Sequence, residues 1–321
     1  MKQRVKNINF KFSTFVTINS MVVSLIRAYL STKHEVTMVD SYLPQVEAIR
    51  EHGITIIEKN GTKRAFTTVK VAASGEVKEH MDLVIVFVKS TYTEEALAQN
   101  ATLFQPDTLV MTLQNGAGND WKIEKYVSKE NVIIGTSKHN AVNLGAGTSR
   151  HPASGVTTIG SNYGADDKVE LVRKVLDESG LSVVVSDDIQ RIIWSKLLVN
   201  LSVNTFTAIT ETPIGYMIKN DYAWNFAKRL IYEAVEVAEA DGTYFDRREA
   251  LALVHKVCED AGDGYSSMYQ DKKKHIRTEI DAINGAIVEQ AKQYGVPTPY
   301  NTLIVDLIHA IEGGYAYQEE K

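Results

Sequence analysis

Glycine is absent from the sequence before Gly53, although the chain has 20 glycines in all. Sheets that bind dinucleotides carry Gly-x-Gly-x-x-Gly after the first strand, because glycine permits the tight turn and the close approach of the backbone to a pyrophosphate. Residues 17–25 stand where that fingerprint is expected, and they are rich in β-branched side chains that do not readily adopt such conformations. Taken alone, these residues make dinucleotide binding doubtful.

Other absences narrow the class of protein. The single cysteine, Cys258, excludes an intrachain disulfide and is typical of a reducing compartment. The net charge is −5 and the only basic run is 272–274, so a nucleic-acid partner is not expected. No stretch approaches the roughly 20 apolar residues of a membrane-spanning helix, and residues 1–11 lack the apolar centre of a signal peptide. We therefore expect a cytoplasmic protein with no membrane partner. The sequence contains no pattern of zinc ligands, so we expect no metal site.

The first half of the chain alternates strand and helix signals. The Asn60-Gly61 pair predicts a hairpin turn, and residues 143–158 predict a loop and hairpin. The strands are predicted at 35–40, 54–58, 66–72, 82–88, 108–113, 132–135 and 181–186, and the helices at 42–52, 91–99 and 166–179. Such alternation is typical of an α/β doubly wound parallel sheet.

Helical periodicity dominates the second half. The helices are predicted at 189–209, 224–241, 247–261, 275–294 and 302–312. The sequence therefore predicts a Rossmann-like doubly wound N-terminal domain, residues 1–185, followed by an all-α C-terminal domain, residues 186–321.

One predicted helix carries an unusual polar stripe. Lys196, Asn200 and Asn204 follow one another at i, i+4 and i+8 in an otherwise apolar stretch, so they lie within a narrow arc. Buried polar groups cost stability unless they are hydrogen-bonded. An ammonium beside two carboxamides suits a small oxygen-rich ligand whose carbonyl needs a proton. The alternative is a helix that lines a hydrated groove and binds no ligand.

Polar residues also follow three predicted strands. Asp40 ends one strand, Lys89 follows another, and Asn115-Gly116 follows a third. The carboxyl ends of parallel strands are where doubly wound sheets bind ligands, and an acid there accepts hydrogen bonds from an adenine ribose. For Asp40, capping of the strand end explains the residue equally well.

A second polar cluster lies at 265–285. Ser266, Ser267 and Gln270 offer donors for a carboxylate, and Glu279 follows twelve residues after Ser267. An ideal helix does not place residues twelve apart on one face, so a bend is required if both serve one site. For Asp281 the sequence favours ordinary helix surface.

These motifs resemble the ketopantoate reductase (2-dehydropantoate 2-reductase) family from about residue 28 onward. The resemblance is carried by Gln-Asn-Gly-Ala-Gly at 114–118, by Trp-Ser-Lys at 194–196 with its two asparagines, and by the motifs at 266–271 and 277–285. It implies NADPH-dependent reduction of 2-dehydropantoate to (R)-pantoate, on the route to pantothenate and coenzyme A.

The resemblance also implies roles for individual residues. Lys196 matches the general acid, and Glu279 matches an acid near substrate and nicotinamide. The remaining substrate-binding positions are Asn115, Asn200, Asn204 and Ser267. The coenzyme-binding positions are Asp40, Ser41, Lys89, Asn115, Ala141 and Glu279.

Three departures from the family pattern leave alternatives open. The glycine fingerprint is missing. Ser41 stands where the NADPH enzymes often have an arginine, and Asp40 would repel the 2′-phosphate, so NAD is an alternative coenzyme. Ile214 replaces an asparagine found in some members. The alternatives are an NAD-dependent D-2-hydroxyacid dehydrogenase of the same superfamily and a non-catalytic relic that binds a metabolite or partner. The exact 2-oxo acid and the oligomeric state, with a homodimer as one option, are not fixed by the sequence.

We hypothesise that the missing glycines reflect a shifted reading frame. The codons ATG GGT AGT CTC for Met-Gly-Ser-Leu read as Met-Val-Val-Ser after loss of one G, which is the sequence at 21–24. Translation of the gene in its other two frames tests this. The absence of Gly-x-Gly-x-x-Gly there would make the loss an ordinary divergence.

Overall fold

The computed structural model describes residues 11–16, 26, 28–67, 69–145, 147–153 and 155–319. Residues 17–25, on which the missing fingerprint and the frame-shift hypothesis fall, lie outside the described residues. The chain forms two compact units, of which the first is Met1–Gln114 with Asn119–Ile189 and the second is Asn115–Gly118 with Gln190–Lys321. The domain boundary after residue 185 stays a prediction.

An eight-stranded sheet forms the centre of the first unit. All its neighbouring strands pair in parallel except β8 and β11. In spatial order the strands are β12 (Val183–Val185), β11 (Thr157–Gly160), β8 (Val132–Ser137), β7 (Leu109–Thr112), β6 (Leu83–Val86), β1 (Lys11–Val16), β2 (Glu35–Asp40) and β5 (Lys70–Ala73). Because β2 and β6 flank β1, the strand order reverses at β1, which is where open parallel sheets bind ligands.

A smaller sheet completes the strands of the first unit. Its order is β4 (Lys63–Phe66), β3 (Ile54–Glu58), β10 (Thr148–Ala153) and β9 (Asn140–Gly145). The predicted Asn60-Gly61 hairpin is confirmed, since β3 and β4 pair antiparallel and Gly61 N–H donates to the Glu58 carbonyl at 2.9 Å. The single strand predicted over 66–72 is wrong. Phe66 ends β4, whereas β5 pairs with β2 in the other sheet, so one apolar run serves two sheets.

Besides the helical residues 26 and 28–30, the first unit has four α-helices with described bounds. They are α1 (Leu43–His52), α2 (Thr93–Gln99), α3 (Asn119–Ile123) and α4 (Asp166–Glu178). The strands β6 and β7 are buried along their whole length, as expected for strands covered on both faces. Their side chains join Val169, Val172 and Leu176 of α4 in one apolar core.

The described residues of the second unit form helices and connecting loops and contain no strand. Its α-helices are α5 (Ile189–Val199), α6 (Thr205–Thr210), α7 (Asp221–Ala240), α8 (Arg247–Ala261), α9 (Ser267–Lys273), α10 (Asn284–Tyr294) and α11 (Pro299–Glu319). A π-helical segment, Asn200–Asn204, joins α5 to α6. The combined helix Ile189–Thr210 is long and apolar enough to cross a membrane, but 61% of its apolar window is buried inside the protein. It forms part of the core of this unit.

The chain bends between Ser267 and Glu279. The helix predicted over 275–294 is wrong at its start, because α9 ends and His275 takes a left-handed φ of 51°. His275 N–H bonds Lys272 O at 3.0 Å and Ile276 N–H bonds Asp271 O at 2.9 Å, which is the Schellman pattern of helix termination. His275 stacks on Tyr315 with ring centroids 4.9 Å apart. Helix α10 therefore begins only at Asn284.

The predicted fold class is confirmed: a Rossmann-like parallel sheet in the first unit and an all-α second unit. The helices predicted at 42–52, 166–179 and 247–261 agree with the observed α1, α4 and α8 to within one residue at each end. The helix predicted at 302–312 does not, because α11 runs from Pro299 to Glu319. Its first-turn N–H groups are capped by the buried Glu233 carboxylate, so the helix starts at Pro299 instead of 302.

Candidate functional site

Lys196, Asn200 and Asn204 lie on one continuous helical segment. Lys196 is on α5, and the two asparagines are the first and last residues of the π segment. Lys196 and Asn200 are half-buried and Asn204 is 7% exposed. Short π segments occur frequently at functional sites. The sequence predicted the polar stripe, but it did not predict the π segment.

The electrostatic environment of Lys196 is shaped by burial and by Glu279. Burial lowers the pKa of the Lys196 ammonium below its ordinary value, and the Glu279 carboxylate opposes that change. An acid whose pKa is brought toward the working pH gives up its proton more readily. Glu279 therefore helps Lys196 to stay protonated, while burial makes the ammonium a better proton donor.

Glu279 is positioned by the loop Asn115–Gly118. Asn115 Nδ2 donates to Glu279 Oε2 at 3.0 Å, and Ala117 N–H donates to Ala282 O at 3.1 Å. Gly116 has a φ of +84°, and a Cβ at this position would lie 2.0 Å from Ala282 O. Only glycine therefore allows this approach. The loop follows β7 in the sequence but packs with the helical unit.

Ser266 and Ser267 have different environments. Ser266 is buried, its Oγ accepts the N–H of Tyr269 at 3.2 Å, and it lies 2.6 Å from Thr207 Oγ1 on α6. Ser266 thus caps α9 and is occupied by protein groups. Ser267 begins α9 and is exposed. Of the two serines, Ser267 is the one available to a ligand.

The segment that bears Glu279 is fixed by α11. Thr278 N–H donates to Glu312 Oε1 at 2.7 Å. Asp281 is exposed and pairs with Arg277 at 3.1 Å and with His309 at 2.8 Å. These contacts agree with the interpretation of Asp281 as surface.

The predicted coenzyme positions Asp40, Ser41, Lys89 and Ala141 belong to the first unit. Asp40 ends β2, is 1% exposed, and accepts the N–H of Tyr42 at 2.9 Å. Ser41 is exposed, Lys89 follows β6 and is half-buried, and Ala141 lies on β9. A buried acid at the end of the strand beside the reversal point fits the ribose of a dinucleotide. The roles of these four residues stay predictions.

Sequence reasoning assigned no role to three buried polar residues of the helical unit, although Asn284 lies in the motif at 277–285. Glu233, Asn284 and Asn301 are hydrogen-bonded to one another or to shared backbone groups. Their signal was present in the sequence as polar residues at apolar helix positions. Among the described residues, no group of three or more His, Cys, Asp or Glu side chains could hold a metal ion.

Comparisons with known proteins agree with the geometry. The family model for "Ketopantoate reductase PanE/ApbA" matches residues 22–164, and "Ketopantoate reductase PanE/ApbA C terminal" matches 188–312. The 2-dehydropantoate 2-reductase of Halobacterium salinarum is 33% identical over 85% of this chain and 89% of its own length. That of Lactococcus lactis is 31% identical over 87% and 91%.

A solved structure extends the comparison to a second activity. The ternary structure of D-mandelate dehydrogenase with NADH and anilino(oxo)acetate superposes with a TM-score of 0.86 at 31% identity, covering 94% of this chain and 99% of that one. This chain is therefore similar in sequence to relatives of both kinds, and in fold to the D-mandelate dehydrogenase.

Proposed function

Because the chain belongs to the ketopantoate reductase family, we propose that it reduces 2-dehydropantoate to (R)-pantoate with NADPH, on the route to pantothenate and coenzyme A. The proposal rests on one observation: the half-buried Lys196 lies on the same helical segment as Asn200 and Asn204, and the charge of Glu279 raises its pKa.

The protein side of the reaction is proton delivery. The coenzyme supplies the hydride when it is bound. Lys196 Nζ donates a proton to the keto oxygen as it becomes an alkoxide, and its positive charge stabilises the developing negative charge. Glu279 keeps Lys196 protonated in spite of burial. Asn200, Asn204 and Ser267 orient the substrate by hydrogen bonds, and Asn115 holds Glu279 in place.

The first unit offers a matching place for the coenzyme. We assign its ribose to Asp40 at the end of β2, with Ser41, Lys89 and Ala141 as further contacts. Asn115 and Glu279, which belong to the helical unit, stay predicted coenzyme contacts. The strand order reverses next to β2, which supports this assignment. We place the enzyme in the cytoplasm and consider a homodimer its simplest assembly.

A second candidate is an NAD-dependent D-2-hydroxyacid dehydrogenase. Two observations favour it. Asp40 is buried and Ser41 supplies no positive charge for a 2′-phosphate. Ile214 is apolar where some members have an asparagine, and its N–H bonds the carbonyl of Gly264, next to Tyr265. Tyr265 stacks on Tyr269 with centroids 4.3 Å apart. For this candidate we place the apolar substituent of the substrate beside that aromatic pair.

Steady-state oxidation of NADPH and of NADH separates the candidates. We expect turnover with 2-dehydropantoate, at a higher kcat/KM than with phenylglyoxylate or with branched 2-oxo acids that lack its hydroxymethyl group, and an (R) product. A preference for NADH and for an aryl 2-oxo acid, or for a branched one without that hydroxymethyl group, would replace the first candidate by the second. Failure to bind either coenzyme at millimolar concentration in a fluorescence titration would instead favour a non-catalytic relic.

A further inference from the structure

The π segment is supported by side-chain hydroxyls. Ser202 Oγ donates to Leu198 O at 2.9 Å, Thr205 Oγ1 to Leu201 O at 2.7 Å, and Thr207 Oγ1 to Val203 O at 2.9 Å. Hydroxyls that bond the carbonyl four residues earlier are found where helices bend or loosen. The sequence around Asn200 and Asn204 is therefore adapted to hold an irregular turn.

One donor to this segment comes from another helix. Asn284 is the first residue of α10 and is fully buried, and its Nδ2 donates to Leu201 O at 3.0 Å. Leu201 lies between Asn200 and Asn204. The same Nδ2 also donates to Asn301 Oδ1 at 3.0 Å. Asn284 thus ties the middle of the π segment to the start of α11.

The same hydrogen-bond network includes the buried carboxylate of Glu233. Asn301 donates to Glu233 from its N–H at 2.9 Å and from its Nδ2 at 2.8 Å, and Tyr300 N–H donates to Glu233 at 2.8 Å. Glu233 is 7% exposed on α7. A buried carboxylate with three donors is a rigid acceptor. It fixes Asn301, and Asn301 in turn fixes the orientation of the Asn284 amide.

Asn284 is also close in sequence to the Glu279 side of the site. The 3₁₀ turn Ile280–Ala282 connects them, and Ala282 O accepts the N–H of Ala117 beside Asn115. Asn284 therefore bonds the π segment directly and follows, within five residues, the segment that bears Glu279.

We propose that Asn284 is a positioning residue that sets the orientation of Asn200 and Asn204 toward the 2-oxo acid; this rests on the proposed function. In an uninterrupted α-helix, Asn204 would be rotated by about 80° from Lys196 around the axis. A π turn takes more residues per revolution and removes part of that rotation. The bond from Asn284 to Leu201 holds the π turn and so keeps the two carboxamides in line with the ammonium.

The test compares Asn284→Ala with Gln290→Ala. Gln290 is a matched control, because it is a carboxamide on the same helix, is 2% exposed, and has a buried Oε1 with no partner among the described residues. For Asn284→Ala we expect about a ten-fold rise in KM for the 2-oxo acid and a lower kcat, because small misplacements of orienting groups are costly. Coenzyme affinity should stay within about two-fold of wild type.

A second measurement does not depend on turnover. Hydrogen exchange of the backbone amides of 200–206 should be about ten-fold faster in Asn284→Ala and unchanged in Gln290→Ala, since local opening is governed by local stabilising contacts. If Asn284→Ala fails to fold, Asn284→Ser takes its place, because the serine keeps one shorter donor; its exchange at 200–206 should then be faster than in Gln290→Ala.

The outcomes separate the two proposals. Wild-type exchange and wild-type KM in Asn284→Ala would overturn the positioning role. Equal kinetic losses in the Asn284 and Gln290 variants would reduce Asn284 to general packing and would also overturn it. A wild-type protein inactive on every 2-oxo acid would overturn the proposed function, and the exchange rates alone would then decide whether Asn284 holds the turn.

Discussion

Two carboxylates inside the helical unit are used in opposite ways. Glu233 is almost fully buried and accepts three N–H groups from the start of α11. Its carboxylate oxygens therefore bond the protein itself and serve a structural purpose. Glu279 is half-buried, accepts the side-chain amide of Asn115, and raises the pKa of Lys196. The comparison shows that burial alone does not identify a functional acid. What distinguishes Glu279 is that it modulates another titratable group.

The largest expected effect tests the Lys196 side of this comparison. Lys196→Met removes the proton donor, and we expect kcat to fall by about 10²–10⁴-fold. Coenzyme affinity should change little. Because the folded protein holds the Lys196 proton less tightly than the unfolded chain, the ammonium costs stability near neutral pH, and the variant should melt no lower.

Lys273→Met is the matched control for that measurement. Lys273 is exposed and pairs with Glu211 at 3.0 Å, so its loss should leave kcat and KM unchanged. A Lys196→Met enzyme with normal kcat would remove the lysine from the mechanism.

The next effect tests Glu233. Glu233→Ala leaves three N–H donors without their acceptor, and we expect the free energy of unfolding to fall by roughly 3 kcal/mol. Urea denaturation followed by circular dichroism measures it. Glu236→Ala, on the same helix, removes an exposed pair with Arg247 and should cost less than about 1 kcal/mol. Equal losses in the two variants would contradict a supporting role for Glu233.

A smaller effect concerns the pH profile. Glu279 raises the pKa of Lys196 against the effect of burial, so Glu279→Gln should lower that pKa further. The acid must be protonated to act, and the high-pH decline of kcat/KM should therefore move to lower pH in the variant. Stopped assays from neutral to alkaline pH measure the shift. A shift to higher pH would contradict the assigned coupling.

Asp40 is the third carboxylate and gives the smallest expected effect. Asp40→Asn removes a charge that repels a 2′-phosphate, so the ratio of NADPH to NADH affinity should rise by about ten-fold, or ~1.4 kcal/mol. Titrations with both coenzymes measure the ratio. If only the melting temperature changes, Asp40 belongs with Glu233 as a structural acid that holds the Tyr42 N–H.

The sequence predicted those features that depend on local pattern. The buried strands β6 and β7, the Asn60-Gly61 hairpin and the helix α8 were all recoverable from apolar runs, turn residues and periodicity. The polar stripe was recoverable because a lysine and two asparagines are conspicuous on an apolar helix. The bend between Ser267 and Glu279 was expected as a requirement of a shared site.

What the sequence did not predict depends on contacts between distant residues. The π turn is supported from α10 and α11, which lie about 80 or more residues later in the chain. The left-handed His275 is unusual, because a glycine is the ordinary signal for such a helix end. Phe66 and Lys70 belong to different sheets, a division that no period-two pattern marks.

The loop Asn115–Gly118 has a practical consequence for dissecting the protein. It is encoded within the first unit but packs with the second, and Gly116 fits against Ala282 only because it has no side chain. A fragment of residues 190–321, or a chimaera that exchanges the N-terminal part for that of a relative, would separate Glu279 from its own Asn115. An exchange of the helical unit between relatives must therefore include the four residues 115–118, because otherwise Glu279 and Ala282 would face the loop of another protein.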